Sequence, residues 1–408
     1  VKVVLVRRPD KGETSSIDGL GTPQIKPGRA VESEALITIV FFCSVLWVFC
    51  VCSSINCLAV KTGTSHLENR RLATFEKPHF TSIYSLAKFP SSFEAFFRDR
   101  FFRRFDLIST RSALRYFCFD LGSNGVLAGK NGWLFYAAAH NMHFIQNRPL
   151  FSDEELYWWC RLLQYKNEWC KARGIKFLFY AAPVATTIYP ELLPEGLKRN
   201  FENSRLDQLM NALNRTKSVK TVDLRPSLLA AKSFPIYLKT DTHWNSFGAY
   251  VATRPVIEAL RKWFPDIPPL SLRELHLEPK KYTGNLPGYM GIQNLLSEFT
   301  LRENLKAARR WHAVNPEYDN LDGDYKRTFA TEVDDPSLPT AVCIRDSFSI
   351  SQREYLSNHF RRIVYEWQTE WPFELIEKEK PDVVLQEKCE ATIIPLEVNP
   401  LKVYNIAH

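Results

Sequence analysis

Ile175-Lys176-Phe177-Leu178-Phe179-Tyr180-Ala181-Ala182 is an apolar run broken only by Lys176, with Gly174 just before it. A short continuous run of this kind reads as a strand buried on both faces, as in parallel sheets. Upstream, Ser152 and Glu155 have the spacing of a capping box, and Gly174 stands just beyond the helix they open. Downstream, helical text near Ser204 to Leu213 leads to a second short strand, Val219–Leu224. Strands are predicted again at Ala341–Ile344, Arg362–Tyr365 and Val383–Gln386, separated by helices near Ser349–His359 and Trp371–Glu379. Another helix follows Asn245, and Pro255 is expected to kink it or end it at the preceding residue. This alternation argues for an α/β protein with a mainly parallel sheet and helices on both faces.

The chain of 408 residues can bury a substantial core. Its net charge of +8 is spread rather than blocked. Nucleic-acid binding is therefore unsupported, while a polyanionic substrate or an anionic membrane face remain compatible with it. Residues 35–60 carry no charged side chain and are long enough to cross a bilayer as a helix. They read as one membrane anchor, preceded by a tail (1–34) expected to be disordered. Basic residues flank both ends of the run, so charge alone leaves its orientation open. Residues 61–119 read as a polar connector followed by an aromatic, basic helical segment, packed in a core or lying on a membrane surface. The nine cysteines include no CxxC pair, which excludes the usual zinc frameworks.

Two segments carry candidate chemistry. Tyr237-Leu238-Lys239-Thr240-Asp241-Thr242-His243-Trp244-Asn245 places a carboxylate and an imidazole two positions apart, on one side of an extended backbone. Arg345-Asp346-Ser347-Phe348-Ser349 places a hydroxyl where a strand would turn into a helix, at the edge where open α/β folds bind ligands. Ser347, His243 and Asp241 together have the makings of a nucleophile, a general base and the group that orients the base. A blander reading makes Asp346, Ser347 and Asn245 helix caps and His243 incidental. Asn245 is also a candidate oxyanion donor. Trp133, Tyr136 and Trp244 can stack on sugar rings or simply pack. Asp241 and His243 are equally zinc or iron ligand types. A third ligand would come from His140, His143, His276, His312 or His359, of which only His140 and His143 are closely spaced, so no metal is assigned.

Several segments in order resemble the periplasmic O-acetyltransferases of the alginate O-acetylation type, whose catalytic domain is similar to SGNH hydrolases. They are Asn69-Arg70-Arg71-Leu72 with Pro78, Phe93 to Ile108, and Gly129-Lys130-Asn131-Gly132-Trp133-Leu134-Phe135-Tyr136. Pro183 with Thr187-Ile188-Tyr189-Pro190-Glu191, the Asp241-Thr242-His243-Trp244-Asn245 motif, Gly284-Asn285-Leu286, Arg345-Asp346-Ser347-Phe348 and Pro381-Asp382-Val383-Val384 follow. The resemblance implies an SGNH hydrolase-like three-layer sandwich over 120–408, with the Asp-x-His motif permuted ahead of Ser, behind one transmembrane helix. It implies Asp241, His243 and Ser347 as the triad, with Trp244, Asn245 and Arg345 as substrate or oxyanion candidates. Two positions depart from the pattern: Arg345 stands where many SGNH-type sequences have Gly, and Asn285 where this family often has Asp. The implied activity is acetyl transfer through an acyl-serine to a hydroxyl of an exported polysaccharide, with no cofactor. The acetyl source would be a multispanning membrane O-acyltransferase, and the anchor would lie in the inner membrane with the catalytic domain in the periplasm. A carbohydrate esterase or a non-catalytic polysaccharide-binding protein are the alternatives.

Overall fold

The computed structural model describes residues 29–59, 63–65, 70–75, 83–138, 141–197, 202–272, 275–303, 310–314, 327–367 and 370–396. Two compact units divide the chain: 1–64 with 71–104, and 65–70 with 105–408. In the larger unit the apolar run of the opening segment forms β1 (Lys176–Ala182). The other strands are β2 (Lys220–Asp223), β3 (His312–Ala313), β4 (Phe329–Glu332), β5 (Thr340–Arg345), β6 (Arg362–Trp367) and β7 (Val383–Cys389). They form one seven-stranded sheet in the order β2-β1-β7-β5-β6-β4-β3. All pairings from β2 to β6 are parallel, and β4 and β3 add antiparallel at the far edge.

Both faces of the sheet are apolar because alternate residues point to opposite sides and both sets are hydrophobic. Leu178, Tyr180, Ala341, Cys343, Tyr365 and Leu385 pack with the Ser246–Arg261 helix. Phe177, Phe179, Val342, Ile344, Val364 and Val384 pack with helices Asp153–Lys171 and Arg205–Thr216. The result is a three-layer α/β sandwich with β5 at its centre. Ser152 caps its helix in a capping box with Glu155, the two bonds measuring 3.2 and 2.8 Å. Gly174 adopts the left-handed φ of +74° that ends the helix region and turns the chain into β1.

Three features differ from the sequence reading. The helix after Asn245 does not end at Pro255; it continues to Arg261, held by the burial of Val256, Ile257 and Leu260. The Asp241–His243 stretch is no extended strand but a loop closed by an isolated bridge between Tyr237 and Trp244. Strands β3 and β4, and a two-stranded ribbon of Leu277–Tyr282 with Glu298–Glu303, add to the strands that were read from the sequence.

In the smaller unit, residues 35–59 of the apolar run lie within a helix of Arg29–Ala59, so residues 29–34 are helical rather than disordered. Residues 1–28, Asn69, Pro78 and His140 lie outside the described residues. Leu36–Cys57 is apolar enough to cross a membrane. Within this unit the Phe102 N–H donates to Ser53 Oγ at 3.0 Å, and Phe101 stacks on Phe49 with centroids 5.8 Å apart. Of the segment 61–119, Arg71–Arg104 belongs with this helix and Phe105–Phe119 with the larger unit. In the larger unit, Arg115 Nε donates to Gly122 O at 3.1 Å.

Ser152→Ala removes the cap acceptor and should cost about 1 kcal/mol. Calorimetry of the detergent-solubilised chain should register that loss as a fall of about 2–4 °C in Tm.

Candidate active site

The loop between Tyr237 and Trp244 is rigid for reasons outside itself. Glu298, on the ribbon, accepts from the backbone N–H groups of Lys239 and Thr240 at 2.9 and 2.8 Å and from the Thr240 hydroxyl at 2.6 Å. Gly284 packs so closely beneath it that a Cβ there would stand 1.9 Å from Thr240 O, which is why this position takes no side chain. The Lys239 carbonyl accepts from the Leu134 N–H at 2.8 Å, joining the loop to the Val126–Ala128/Leu134–Tyr136 hairpin.

Held this way, Asp241 turns its carboxylate into the loop, with only 4% of its surface exposed. Oδ1 accepts from the His243 backbone N–H at 3.1 Å and faces His243 Nδ1 at 2.7 Å. Oδ2 accepts from the Tyr282 hydroxyl at 2.9 Å and the Asn285 N–H at 3.0 Å. Burial by itself would raise the Asp241 pKa. The imidazole, the Tyr282 hydroxyl and the Asn285 N–H outweigh it and hold the carboxyl below its ordinary value. Tyr282 is shifted the other way, up, by burial and by the neighbouring Asp241 charge.

An ionised Asp241 fixes the proton of His243 on Nδ1 and leaves Nε2 as an acceptor. Nε2 stands 2.8 Å from Ser347 Oγ, which is contributed by the turn after β5. Trp244 Nε1 donates to Phe348 O at 3.1 Å, and the Phe348 ring lies 4.9 Å from the imidazole, so the two segments lock together beside the Ser–His contact. The Ser347 turn is itself braced from β7. Asp346 Oδ1 accepts from the Phe348 N–H at 2.9 Å, its Oδ2 from the Cys389 N–H, and the Asp346 N–H donates to Glu387 Oε2 at 2.7 Å. Glu387 is wholly buried, and burial together with the Asp346 charge pushes its carboxyl well above the usual range. The Ser347 backbone N–H makes no hydrogen bond among the described residues. Ser347, His243 and Asp241 line a cleft of about 670 Å³.

Of the other sequence candidates, Arg345, Asn245, Trp244 and Trp133 are not among the residues lining this cleft. Arg345 is 1% exposed, sits 5.1 and 5.3 Å from the Phe329 and Trp367 ring centroids, and donates to Arg327 O at 3.1 Å. As the last residue of β5 it is packed among the aromatics of the sheet instead of facing the cleft. Asn245 caps the next helix, its Oδ1 accepting from the Gly248 N–H at 2.9 Å while its Nδ2 donates to Pro235 O at 2.8 Å. Both ends are engaged, so it is no oxyanion donor in this arrangement. Trp244 is 1% exposed and packs beneath the site, and Trp133 packs on Tyr189; Tyr136 lines the cleft. Asn285 binds Thr242 through both ends of its amide, at 3.3 and 3.1 Å. His359 is buried, its Nδ1 bonded to Tyr355 O at 2.8 Å and its pKa pushed down to about 4 by burial. No group of three or more His, Cys, Asp or Glu among the described residues is arranged to hold a metal ion.

Tyr282, Glu298 and Glu387 are site-building residues that sequence reasoning missed. The alternating apolar positions Phe299 and Leu301 were the available signal for the ribbon that carries Glu298. Glu387 lies one residue beyond the predicted end of β7.

A mainly parallel sheet with helices on both faces, its central strand ending at a serine that meets a histidine from earlier in the chain, is an SGNH hydrolase-like architecture. Residues 126–369 match the family described as SGNH hydrolase-like domain, acetyltransferase AlgX, and the chain belongs to that family. It is similar to the probable alginate O-acetylase AlgJ of Pseudomonas aeruginosa, 28% identical over 193 residues that make up 47% of each chain. The AlgJ of Pseudomonas syringae pv. tomato is 26% identical over 188 residues, 46% of each. The chain thus spans about half the length of the relatives it matches. Among solved structures, a DHHW family protein from Eubacterium siraeum superposes with a TM-score of 0.49 at 16% identity, covering 70% of this chain and 96% of that one. The O-acetyltransferase domain of Pseudomonas putida AlgJ gives 0.43 at 18% identity, covering 67% and 93%.

Because the folded-state pKa of Asp241 is depressed, its contribution to stability is present above the unfolded value of about 3.9 and is lost as pH falls through the folded value. Tyr282→Phe deletes one donor and raises that folded value. The variant should therefore melt below the parent near neutral pH, with the gap closing as pH drops toward 3 or less. A Tm difference that stays constant across the acid range would show that Tyr282 does not act through Asp241.

Proposed function

We propose that this protein is an O-acetyltransferase that moves an acetyl group through an acyl-Ser347 intermediate onto a hydroxyl of an exported polysaccharide. The observation that carries the reading is the unbroken chain of contacts from Ser347 Oγ to His243 Nε2 (2.8 Å) and from His243 Nδ1 to Asp241 Oδ1 (2.7 Å), opening on a cleft. In the first half-reaction His243 takes the Ser347 proton as Oγ attacks the acetyl carbonyl, then passes it to the leaving group of the donor. In the second, an acceptor hydroxyl attacks the acyl-enzyme, His243 takes its proton, and Ser347 departs with that proton. The Ser347 N–H is positioned in sequence and bonding to serve as one oxyanion donor. Asp241 stays ionised and steadies the imidazolium. The relatives named as alginate O-acetylases support a polysaccharide acceptor.

The Leu36–Cys57 helix supports attachment to the inner membrane, with the catalytic unit in the periplasm. Acetyl groups would then be handed over by a multispanning membrane O-acyltransferase, and no cofactor takes part.

Ser347→Ala should lower polymer acetylation at least about a thousandfold in cells that retain the intact membrane system, with the chain still present at parental levels. Asp241→Asn should lower it by about three to four orders of magnitude, because the imidazole loses its tautomer preference. Mass spectrometry of the secreted polymer reads both, and undiminished acetylation in Ser347→Ala cells would remove the catalytic reading.

A further inference from the structure

The cleft is much larger than an acetyl group needs, and its volume of about 670 Å³ is in the range that encloses a sizeable ligand. One wall carries Tyr136 and Tyr289, 38% and 44% exposed, with ring centroids 5.5 Å apart at an interplanar angle of 49°. Solvent-facing aromatic rings in a cleft offer flat apolar surfaces against which the C–H face of a pyranose can lie while its hydroxyls stay in water. The wall is not a loose surface feature. Tyr136 ends the hairpin tied to Lys239 beside the Asp241 loop, and Tyr289 lies on the Asn285–Met290 helix whose first residue binds Asp241. The Tyr289 carbonyl is further fixed by Asn124 Nδ2 at 3.2 Å.

The charge of this lining discriminates among sugars. Among the described residues it contains no Lys or Arg; its charge-bearing members are Asp241, Asp346 and His243, and its other polar groups, such as Asn141, Thr242 and Thr392, are neutral. A uronate polymer brings one carboxylate per ring. Seating such a ring here would strip water from an anion beside two acidic residues with no Lys or Arg partner among the described lining residues, which is unfavourable. A neutral ring meets no such penalty and keeps the stacking surface.

We infer that the acceptor ring seated on Tyr136 and Tyr289 belongs to an uncharged glycan, a hexose or N-acetylhexosamine polymer, and that a uronate is rejected. This rests on the acetyl-transfer reading above and narrows its substrate class. It also separates this chain from what the names of its alginate O-acetylase relatives imply.

The test uses the full chain in detergent with p-nitrophenyl acetate as donor, and cellohexaose or a mannuronate hexamer as acceptor. Acetylated cellohexaose should form with a kcat/KM at least about tenfold above that of the uronate, with little response to salt, since no ion pair is involved. Tyr136→Ala and Tyr289→Ala should each raise the KM for cellohexaose about tenfold with a smaller change in kcat, and the Phe variants should restore it, because the ring face and not the hydroxyl is used. Preference for the uronate, acetylation of neither sugar, or Ala variants with parental KM would each overturn the inference. Release of nitrophenol without any acceptor, abolished in Ser347→Ala, tests the acyl-serine step separately. Its absence would sink the transfer reading and this inference with it, whereas its presence without neutral-sugar preference sinks only the latter.

Discussion

A buried carboxylate with every lone pair direction occupied is the constraint on which the site depends. Removing a carboxylate from water costs several kcal/mol unless hydrogen bonds replace its hydration. Asp241 meets this with bonds from its own loop, from Tyr282 on the ribbon and from the Asn285 N–H. The i and i+2 spacing of Asp241 and His243 is too short for an ordinary long-range pair. It works because the loop between Tyr237 and Trp244 folds back on itself, bringing side chain and following backbone N–H to the same oxygen. Glu298 and the missing Cβ of Gly284 make that fold-back possible, so the imidazole is aimed by residues about forty to sixty positions downstream.

The nucleophile turn is solved by a different device. Burial and the neighbouring Asp346 charge both push the Glu387 carboxyl well above the usual range. One acid then organises the turn, accepting from the Phe348 and Cys389 N–H groups, while the other accepts the Asp346 N–H. The serine is thereby anchored to β7 as well as to β5, and its position is a property of the parallel sheet. His243 belongs to a loop and Ser347 to the sheet, and the Trp244–Phe348 bond joins the two systems.

The parts that were legible in the sequence are those governed by local chemistry. The strands from Ile175 to Gln386 announced themselves as apolar runs because both faces of a parallel sheet are covered, and Ser152 with Glu155 announced a helix start because a cap bond spans three residues. The Asp241, His243 and Ser347 trio was readable from residue type and setting, as a serine at a strand end and an acid–imidazole pair. What escaped was nonlocal. Phe329–Glu332 is buried but only four residues long, and the ribbon strands are largely exposed, so neither shows a clear pattern, and Tyr282 and Glu298 gain meaning only when the ribbon is folded against the loop. Asn245 and Arg345 were plausible as donors by type. Asn245 is consumed as a cap because a helix start must satisfy its N–H groups, and Arg345 is turned into the sheet by its place at the end of β5.

The same separation of local from nonlocal bears on specificity. Nothing about the proposed catalytic trio of Ser347, His243 and Asp241 distinguishes one hydroxyl-bearing polymer from another, since its contacts run through those three side chains alone. Under the proposed acetyl transfer, discrimination comes from groups that meet the acceptor outside the reacting atoms, and the wall inferred to do so is carried by the Val126–Tyr136 hairpin and the Asn285–Met290 helix. Both elements are also what holds the Asp241 loop: Leu134 takes its Lys239 carbonyl and Asn285 its carboxylate. A change in acceptor-facing residues therefore rides on a backbone already fixed by the demands of the base, which lets the wall of the cleft vary in polarity while the proton-transfer geometry stays constant.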